Sequence, residues 1–488
     1  VNILAVLENP EECPLSLAGV DTVAARTYLA DEAFGNLKNV RIVNICRSYR
    51  YQSIGYYVSL LAEARGHRSF PNILTIQDLK SLGLIRLTSE ELSELIQKQC
   101  GLMGGAKASV NIYFGRTPGS EPDTLAQALY GRFPAPFLVA EFSCGRAGWQ
   151  LQNVSPLAVK DIPPAEREFA EKAASEWFHG RRRARRKPVY RFDMAILINP
   201  QEATPPSNKK ALARFAKAAR NNEISPEFIT RDDAGRIWEF DALFIRETTA
   251  VDHHTYRMAR KAESEGLVVI DDPVSILRCT NKVFLAELLG RHKIPAPKTR
   301  IAHGRNLDEL LAEFDFPVVL KQPDSSFSQG VLRADTKDEF TAGLKKLLEK
   351  SELVIVQEYT PSDFDWRIGI LDGQPLYACK YYMAKKHWQI IHRDGRGHLD
   401  EGRVETLPVE FAPPKVVRTA QKAASLIGEG LYGVDLKEHG NKVTVIEIND
   451  NPSLDAGFED GALKDELYER IMRIFLRRLE AAKQGGRR

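Results

Sequence analysis

The chain lacks paired cysteines. Its six, Cys13, Cys46, Cys100, Cys144, Cys279 and Cys379, lie far apart and form no Cys-x-x-Cys pair. That excludes a thiolate zinc site and a disulfide framework and points to a reducing compartment. No run approaches the roughly 18 consecutive apolar residues that cross a bilayer, and the N-terminal stretch has no signal-peptide pattern. A cytoplasmic protein with no membrane partner is the expectation. Internal repeats and low-complexity segments are also expected to be absent. Strong net charge is lacking: the formal value is +3, from 68 basic and 65 acidic residues. One run, Arg181-Arg-Arg-Ala-Arg-Arg-Lys187, carries six of those positives, and without it the chain would be slightly acidic. Basic residues suit a helix C-terminus, and Pro188 stands where a helix would stop. The run therefore reads as a solvated helix end. Polyanion binding is the alternative, but no aromatic residues interleave the run, and nucleic acid is not expected as a partner.

What is present is enough chain, 488 residues, for about three domains. Strands and helices alternate in it, implying a mixed α/β and α+β fold. Within residues 1–187, strands are expected at 1–7, 40–46, 72–76, 111–114, 137–142 and 150–159. Residues 51–66 read as a helix with Ile54, Val58, Leu61 and Ala62 on one stripe. Thr88 and Glu91 fit a capping box, and 163–183 reads as a helix. The polar loop Arg47–Ser53 precedes a helix N-terminus, which favours anions; a plain strand–helix loop is the alternative. After Pro188 the pattern restarts as β-α-β-α-β, with strands at 192–198, 242–245 and 267–270 and helices at 209–221 and 256–265. This predicts a small doubly wound domain over 188–272. Residues 273–488 form the third region, opening with a helix over 282–291.

The chemistry concentrates in that third region. Along Val443-Thr-Val-Ile-Glu447-Ile-Asn449-Asp-Asn-Pro452 the period of a strand puts Glu447 and Asn449 on one face. With Asp435 of Gly433-Val-Asp435 they offer two carboxylates and an amide oxygen, a donor set that suits Mg²⁺ carrying a nucleotide. Upstream, a strand ends at Lys321, and a turn with Ser326, Ser328 and Gly330 offers hydroxyls and free backbone N–H groups to phosphates. Gln357-Glu358-Tyr359 ends an apolar strand whose backbone suits an adenine edge. Asp365 and Arg367 share a strand face, one for a ribose hydroxyl and the other for a transferring phosphoryl group; a surface ion pair is the alternative. His253 and His254 follow Asp252 and read as metal ligands, as a base, or as solvated rings beside a capping Asp.

Taken in order, Lys282, Val319-Leu-Lys321, Gln357-Glu-Tyr359, Asp365-Trp-Arg367, Gly433-Val-Asp435 and Glu447-Ile-Asn-Asp-Asn-Pro-Ser453 resemble the ATP-grasp superfamily. Within it they are most similar to the RimK group of glutamate ligases. Segments 50–67 and 246–256 resemble the RimK-like N-terminal subgroup. The resemblance implies an N-terminal α/β domain, a pre-ATP-grasp domain and a two-lobed ATP-grasp module with lobes near 282–355 and 356–480. It implies an ATP-dependent carboxylate–amine ligase working through an acyl phosphate. Lys282, Lys321, Ser326, Ser328, Gly330, Gln357, Glu358, Tyr359 and Asp365 would bind ATP. Asp435, Glu447 and Asn449 would hold Mg²⁺, two ions bridged by Glu447, with Mn²⁺ as a substitute. Arg367 would steady the acyl phosphate. Where such ligases carry Arg-Ser-Asn this chain reads Gln389-Ile-Ile391, so Lys380, Lys385, Lys386 or Arg393 would have to replace a contact. Arg246, through its bidentate fork, with His253 and His254 would meet an acidic substrate. The expected partners are a small-molecule or peptide carboxylate and an amino-acid amine such as glutamate, with a protein acceptor and a homo-oligomer also foreseen. The competing reading is a kinase-like or regulatory ATP-binding protein that makes no amide.

Overall fold

In a computed structural model of the protein, the described residues are 2–17, 20–37, 40–103, 105–118, 123–145, 148–182, 190–324, 330–384, 391–393 and 399–485. Ser326, Ser328, Lys385, Lys386, Gln389 and positions 183–187 of the basic run lie outside them. The chain divides into two compact units. One comprises Val1–Val189 with Asp232–Trp238 and Lys483–Arg488, and the other Tyr190–Arg231 with Glu239–Ala482. Among the described residues no helix is long and apolar enough to cross a membrane.

The first unit carries a parallel four-stranded sheet in the order Asp21–Ala24, Asn2–Leu7, Val40–Asn44, Arg68–Phe70. A separate antiparallel sheet is formed by Lys107–Tyr113, Phe137–Gly145 and Gly148–Pro156. Two sequence expectations fail here. Residues 72–76 do not form a strand: Asn72 caps a helix, Ile73–Asp78, its side chain accepting from Thr75 N–H at 2.7 Å. Thr88 and Glu91 do not open a helix but close one, Leu82–Glu91, whose cap is Ser81. In both cases the short polar side chain before the helix outweighed the local apolar pattern.

The second unit begins with another parallel four-stranded sheet, ordered Val268–Ile270, Ala242–Ile245, Phe192–Leu197, Ile224–Ile229. The last of these strands has no counterpart in the sequence reading, because Pro226 and Glu227 interrupt its apolar pattern. Two antiparallel sheets follow. One runs Thr299–Ala302, Val354–Glu358, Val318–Lys321, Val331–Ala334. The other runs Val404–Leu407, Gln374–Tyr382, Phe364–Leu371, Leu431–His439, Lys442–Asp450. One face of this five-stranded sheet packs Trp366, Ile368, Val434, Leu436, Val445 and Ile448 into a core with the helix Pro414–Ala424. The other face packs Leu371, Tyr377, Cys379 and Tyr381 into a second core and carries the polar side chains of the candidate site beside it.

The two parallel sheets reveal an internal repeat where none was expected. Their strand orders are the same; the third strands correspond at an offset of 201 residues, Arg41 standing opposite Arg68 and Ala242 opposite Val268, and the helix and fourth strand that follow recur at an offset of 200. Helix Ile54–Ala64 answers to His254–Ser264, and strand Arg68–Phe70 to Val268–Ile270. Gly66 and Gly266 both leave their helices at positive φ, 69° and 75°, a conformation open to glycine. His67 N–H donates to Ala62 O at 2.8 Å, as Leu267 N–H does to Ala262 O at 3.0 Å. Asn72 and Asp272 then cap the next helices. The sequence conceals the repeat because the fold holds fixed only the turn glycines, the caps and the small buried positions, while exposed residues have diverged.

Candidate active site

The five-stranded sheet sets the site by register. Arg367 stands opposite Asp435, Asp435 opposite Glu447, and Gly433 opposite Asn449. Directly opposed residues of antiparallel strands share a face, so these polar groups form one cluster on the face away from the core around Trp366. Gly433 makes room for it: a Cβ there would lie 2.8 Å from Pro452 Cβ and 3.4 Å from Arg367 Cδ. Arg367 Nε and Nη2 donate to the two oxygens of Asp435, each at 2.7 Å. Asn449 Nδ2 reaches Asp435 Oδ2 at 3.1 Å, and the Arg367 guanidinium lies 4.9 Å over the Tyr381 ring. Lys282 enters from the helix Lys282–Arg291, started by an Asn281 cap, and its Nζ is 3.0 Å from Glu447 Oε1.

Lys321 closes its strand with Nζ 2.7 Å from Gln357 Oε1, and Gln357 donates to Thr299 at 3.1 Å. Lys282, Lys321 and Gln357 line one cleft together with Leu285, Ile355 and Ile446. Gly330 takes φ 68° where the hairpin turns back, and Gln322 N–H donates to its carbonyl at 2.9 Å. Glu358 is exposed at the strand end, and Arg333 lies 4.4 Å over the Tyr359 ring. Asp365 is 9% exposed and already paired: Lys437 Nζ donates to its Oδ1 at 2.7 Å and to Ser362 Oγ at 2.6 Å. The sequence reading missed Lys437, although strand parity from Asp435 was a usable signal.

The charges are tightly coupled. Burial alone would raise the Glu447 carboxyl, yet Lys282 and Lys321 hold it below the usual carboxylate range. Burial raises the Asp435 carboxyl, with Arg367 opposing. Burial pushes the Lys321 ammonium down to about 8, Glu447 opposing while Lys282 and Lys437 add to the fall. Asp435, Glu447 and Asn449 thus supply hard oxygens on adjoining strands, with cationic side chains now beside both carboxylates. That donor set fits Mg²⁺.

Four expected contributors do not join this cluster. Lys380 stands opposite Trp366, hence on the far face of the sheet from Arg367, and its Nζ sits 5.1 and 5.2 Å over the Phe364 and Trp366 rings. Strand parity therefore removes it from the catalytic cluster. Arg246 is 1% exposed, and its guanidinium donates to Ser207 Oγ at 3.0 Å, Asn451 Oδ1 at 2.7 Å, Pro452 O at 2.9 Å and the Pro206 carbonyl. Its fork faces protein acceptors, not a substrate carboxylate. His253 and His254 group with Glu247; His254 Nε2 is 2.9 Å from Glu247 Oε1.

Residues 25–173 match the family model of the RimK-like ATPgrasp N-terminal domain, and residues 279–464 match that of the RimK-like ATP-grasp domain. A protein named "Probable alpha-L-glutamate ligase" from Thioalkalivibrio sulfidiphilus is 27% identical over 221 residues, 44% of this chain and 70% of the relative. "Probable alpha-L-glutamate ligase 1" from Pseudoalteromonas atlantica is 28% identical over 232 residues, 46% and 73% of the two chains. The crystal structure of a RimK domain protein ATP-grasp from Sphaerobacter thermophilus aligns at a TM-score of 0.45 and 16% identity, over 58% of this chain and 98% of that one.

Proposed function

With a RimK-like N-terminal domain and a RimK-like ATP-grasp domain, the chain belongs among the ATP-grasp carboxylate–amine ligases, and we propose that it joins an amino-acid amine to a substrate carboxylate through an acyl phosphate. Glutamate is the first candidate amino acid, because the relatives' names carry it. The observation that carries the reading is the Arg367–Asp435 fork beside the Lys282–Glu447 pair on one sheet face. Such a cluster holds cations for a triphosphate and carboxylates for the metal that accompanies it.

Lys282 and Lys321 clamp the phosphates, Gln357, Glu358 and Tyr359 border the base, and Asp365 takes a ribose hydroxyl. Asp435, Glu447 and Asn449 would hold Mg²⁺, which when bound would supply neutralisation of charge on the transferring phosphoryl group. The Arg367 fork, now on Asp435, would serve the γ-phosphate and then the acyl phosphate. A substrate carboxylate oxygen attacks the γ-phosphorus and the bond to ADP breaks. The amine nitrogen then attacks the acyl carbon, phosphate leaves, and the nitrogen loses its proton. No covalent protein nucleophile is required.

The test supplies the full chain with ATP, Mg²⁺ and a panel of amino acids and carboxylates. The expected result is release of ADP and phosphate that depends on the amine, with an amide of matching mass. A stable phosphorylated acceptor instead would establish the kinase reading and reject this one.

A further inference from the structure

We propose that Glu247, His253 and His254 form a second metal site, separate from the nucleotide's, for a divalent ion of the Zn²⁺ class held by two imidazoles and one carboxylate. One ligand atom from each residue lies within 4.8 Å of the other two. Bonds of about 2.0–2.2 Å to a tetrahedral ion set ligand atoms roughly 3.3–3.5 Å apart, so side-chain rotation of about 1 Å completes the set. Three protein ligands leave a coordination position open to water or to a further ligand. Two nitrogens and one oxygen favour Zn²⁺ and its neighbours over Mg²⁺.

A second, independent observation is an unmet bonding demand. Glu247 is 2% exposed, and among the described residues neither its Oε2 nor His254 Nε2 has a hydrogen-bond partner. The 2.9 Å approach of His254 Nε2 to Glu247 Oε1 is an ion-pair distance without the alignment of a hydrogen bond. A buried acceptor left so costs about 1–3 kcal/mol, and an ion at this point would satisfy both atoms. The surroundings already orient the ligands. His253 Nδ1 lies 3.1 Å from the buried Thr255 Oγ1, leaving Nε2 for a metal. Asn451 Nδ2 donates to the Glu247 carbonyl at 2.6 Å and fixes the backbone.

The internal repeat supplies a control within the same chain. In the first copy Ser53 and Ile54 stand at the helix positions of His253 and His254, and the strand register puts Cys46 in the place of Glu247. There Ser53 caps its helix, accepting from Tyr56 N–H at 3.2 Å. His253 occupies the matching cap position and makes no cap bond. The fold therefore does not need the three ligands, and the second copy gives up a helix cap to carry them. The position is also one where parallel sheets bind ligands: Glu247 follows the strand Ala242–Ile245, beside which the strand order reverses.

The test uses the full chain, tag removed and stripped with a chelator, with excess Mg²⁺ to occupy the nucleotide site. Zn²⁺ is titrated against a chromogenic chelator and Co²⁺ is followed by its visible absorption. The expected result is one equivalent bound at sub-micromolar affinity, and binding weakened at least about 100-fold in His253→Ser/His254→Ile, the residues of the first copy, with unchanged circular dichroism. Glu247→Gln should weaken it as well. Wild-type protein that binds no Zn²⁺ at that affinity, or a folded double variant that binds as wild type does, overturns the proposal. Should the double variant not fold, the wild-type Co²⁺ spectrum and X-ray absorption decide: two imidazole nitrogens support the site, and any other ligand set rejects it.

Discussion

Arg367 and Asp435 face each other across adjacent strands and share two parallel hydrogen bonds of 2.7 Å. The pair holds the arginine in place and keeps a carboxylate opposite Glu447, where the proposed function needs one. Arg367→Ala should lower turnover by roughly 10²–10³-fold, the usual loss when a preorganised transition-state donor is removed. ATP affinity should move only a few-fold, because the proposed function assigns the phosphates to Lys282 and Lys321. Arg367→Lys should recover little, since an ammonium cannot reproduce the fork. Steady-state ADP release beside calorimetric ATP binding separates the two effects, and normal turnover in Arg367→Ala would end this role.

Lys321 gives ATP binding a pH dependence. Its ammonium is pushed down to about 8, with burial the largest cause, so the free protein loses this positive charge as pH rises through that value. A bound triphosphate favours the charged form. ATP affinity should therefore be level below about pH 7 and fall above about pH 8, with a proton taken up on binding in the upper range. Calorimetry in two buffers of different ionisation heat measures that uptake. Lys321→Arg, charged throughout, should abolish it; uptake that persists in this variant would assign it to another group.

Much of the site was legible because strand parity is strict. Glu447 with Asn449, and Asp365 with Arg367, fell on shared faces from period alone. The same rule, carried one strand further, shows why Lys380 failed: its place on a face depends on its pairing with Trp366, a register that sequence does not display. Arg246 failed for a different reason. An arginine after a strand looks like a ligand-binding fork until the residues that surround it, 39 to 206 positions away, are seen. The repeat was hidden because few side chains survive in both copies, although the backbone does.

Arg246 should accordingly act on stability. Its removal as Arg246→Ala strands buried acceptors on Ser207, Asn451 and two proline carbonyls, and should cost about 3–5 kcal/mol in urea unfolding, the range for breaking a buried charged network. KM values measured where the variant is folded should stay near wild type. An unchanged unfolding midpoint with a tenfold higher KM for the acidic substrate would restore the carboxylate-binding role.

Asp271 joins the central parallel sheet to the end of the metal strand. Its Oδ1 accepts from Leu431 N–H at 2.7 Å and its Oδ2 from Asn451 N–H at 2.6 Å, and it is 1% exposed. Burial pushes its carboxyl up to about 7, while the two N–H groups pull the other way. An unfolded Asp titrates near 3.9, so the folded state holds this proton more tightly. The resulting stability is fully present below about pH 4 and is lost as pH rises through about 7. Unfolding free energy should therefore fall between about pH 5 and pH 8, by at most about 1.4 kcal/mol per unit from this one group. Asp271→Asn carries no titrating proton. It should be less stable than wild type at pH 5, where its amide meets a backbone N–H, but its stability should change less with pH. Urea unfolding of both proteins across that range reads the difference, and parallel curves would show that the slope belongs to other groups.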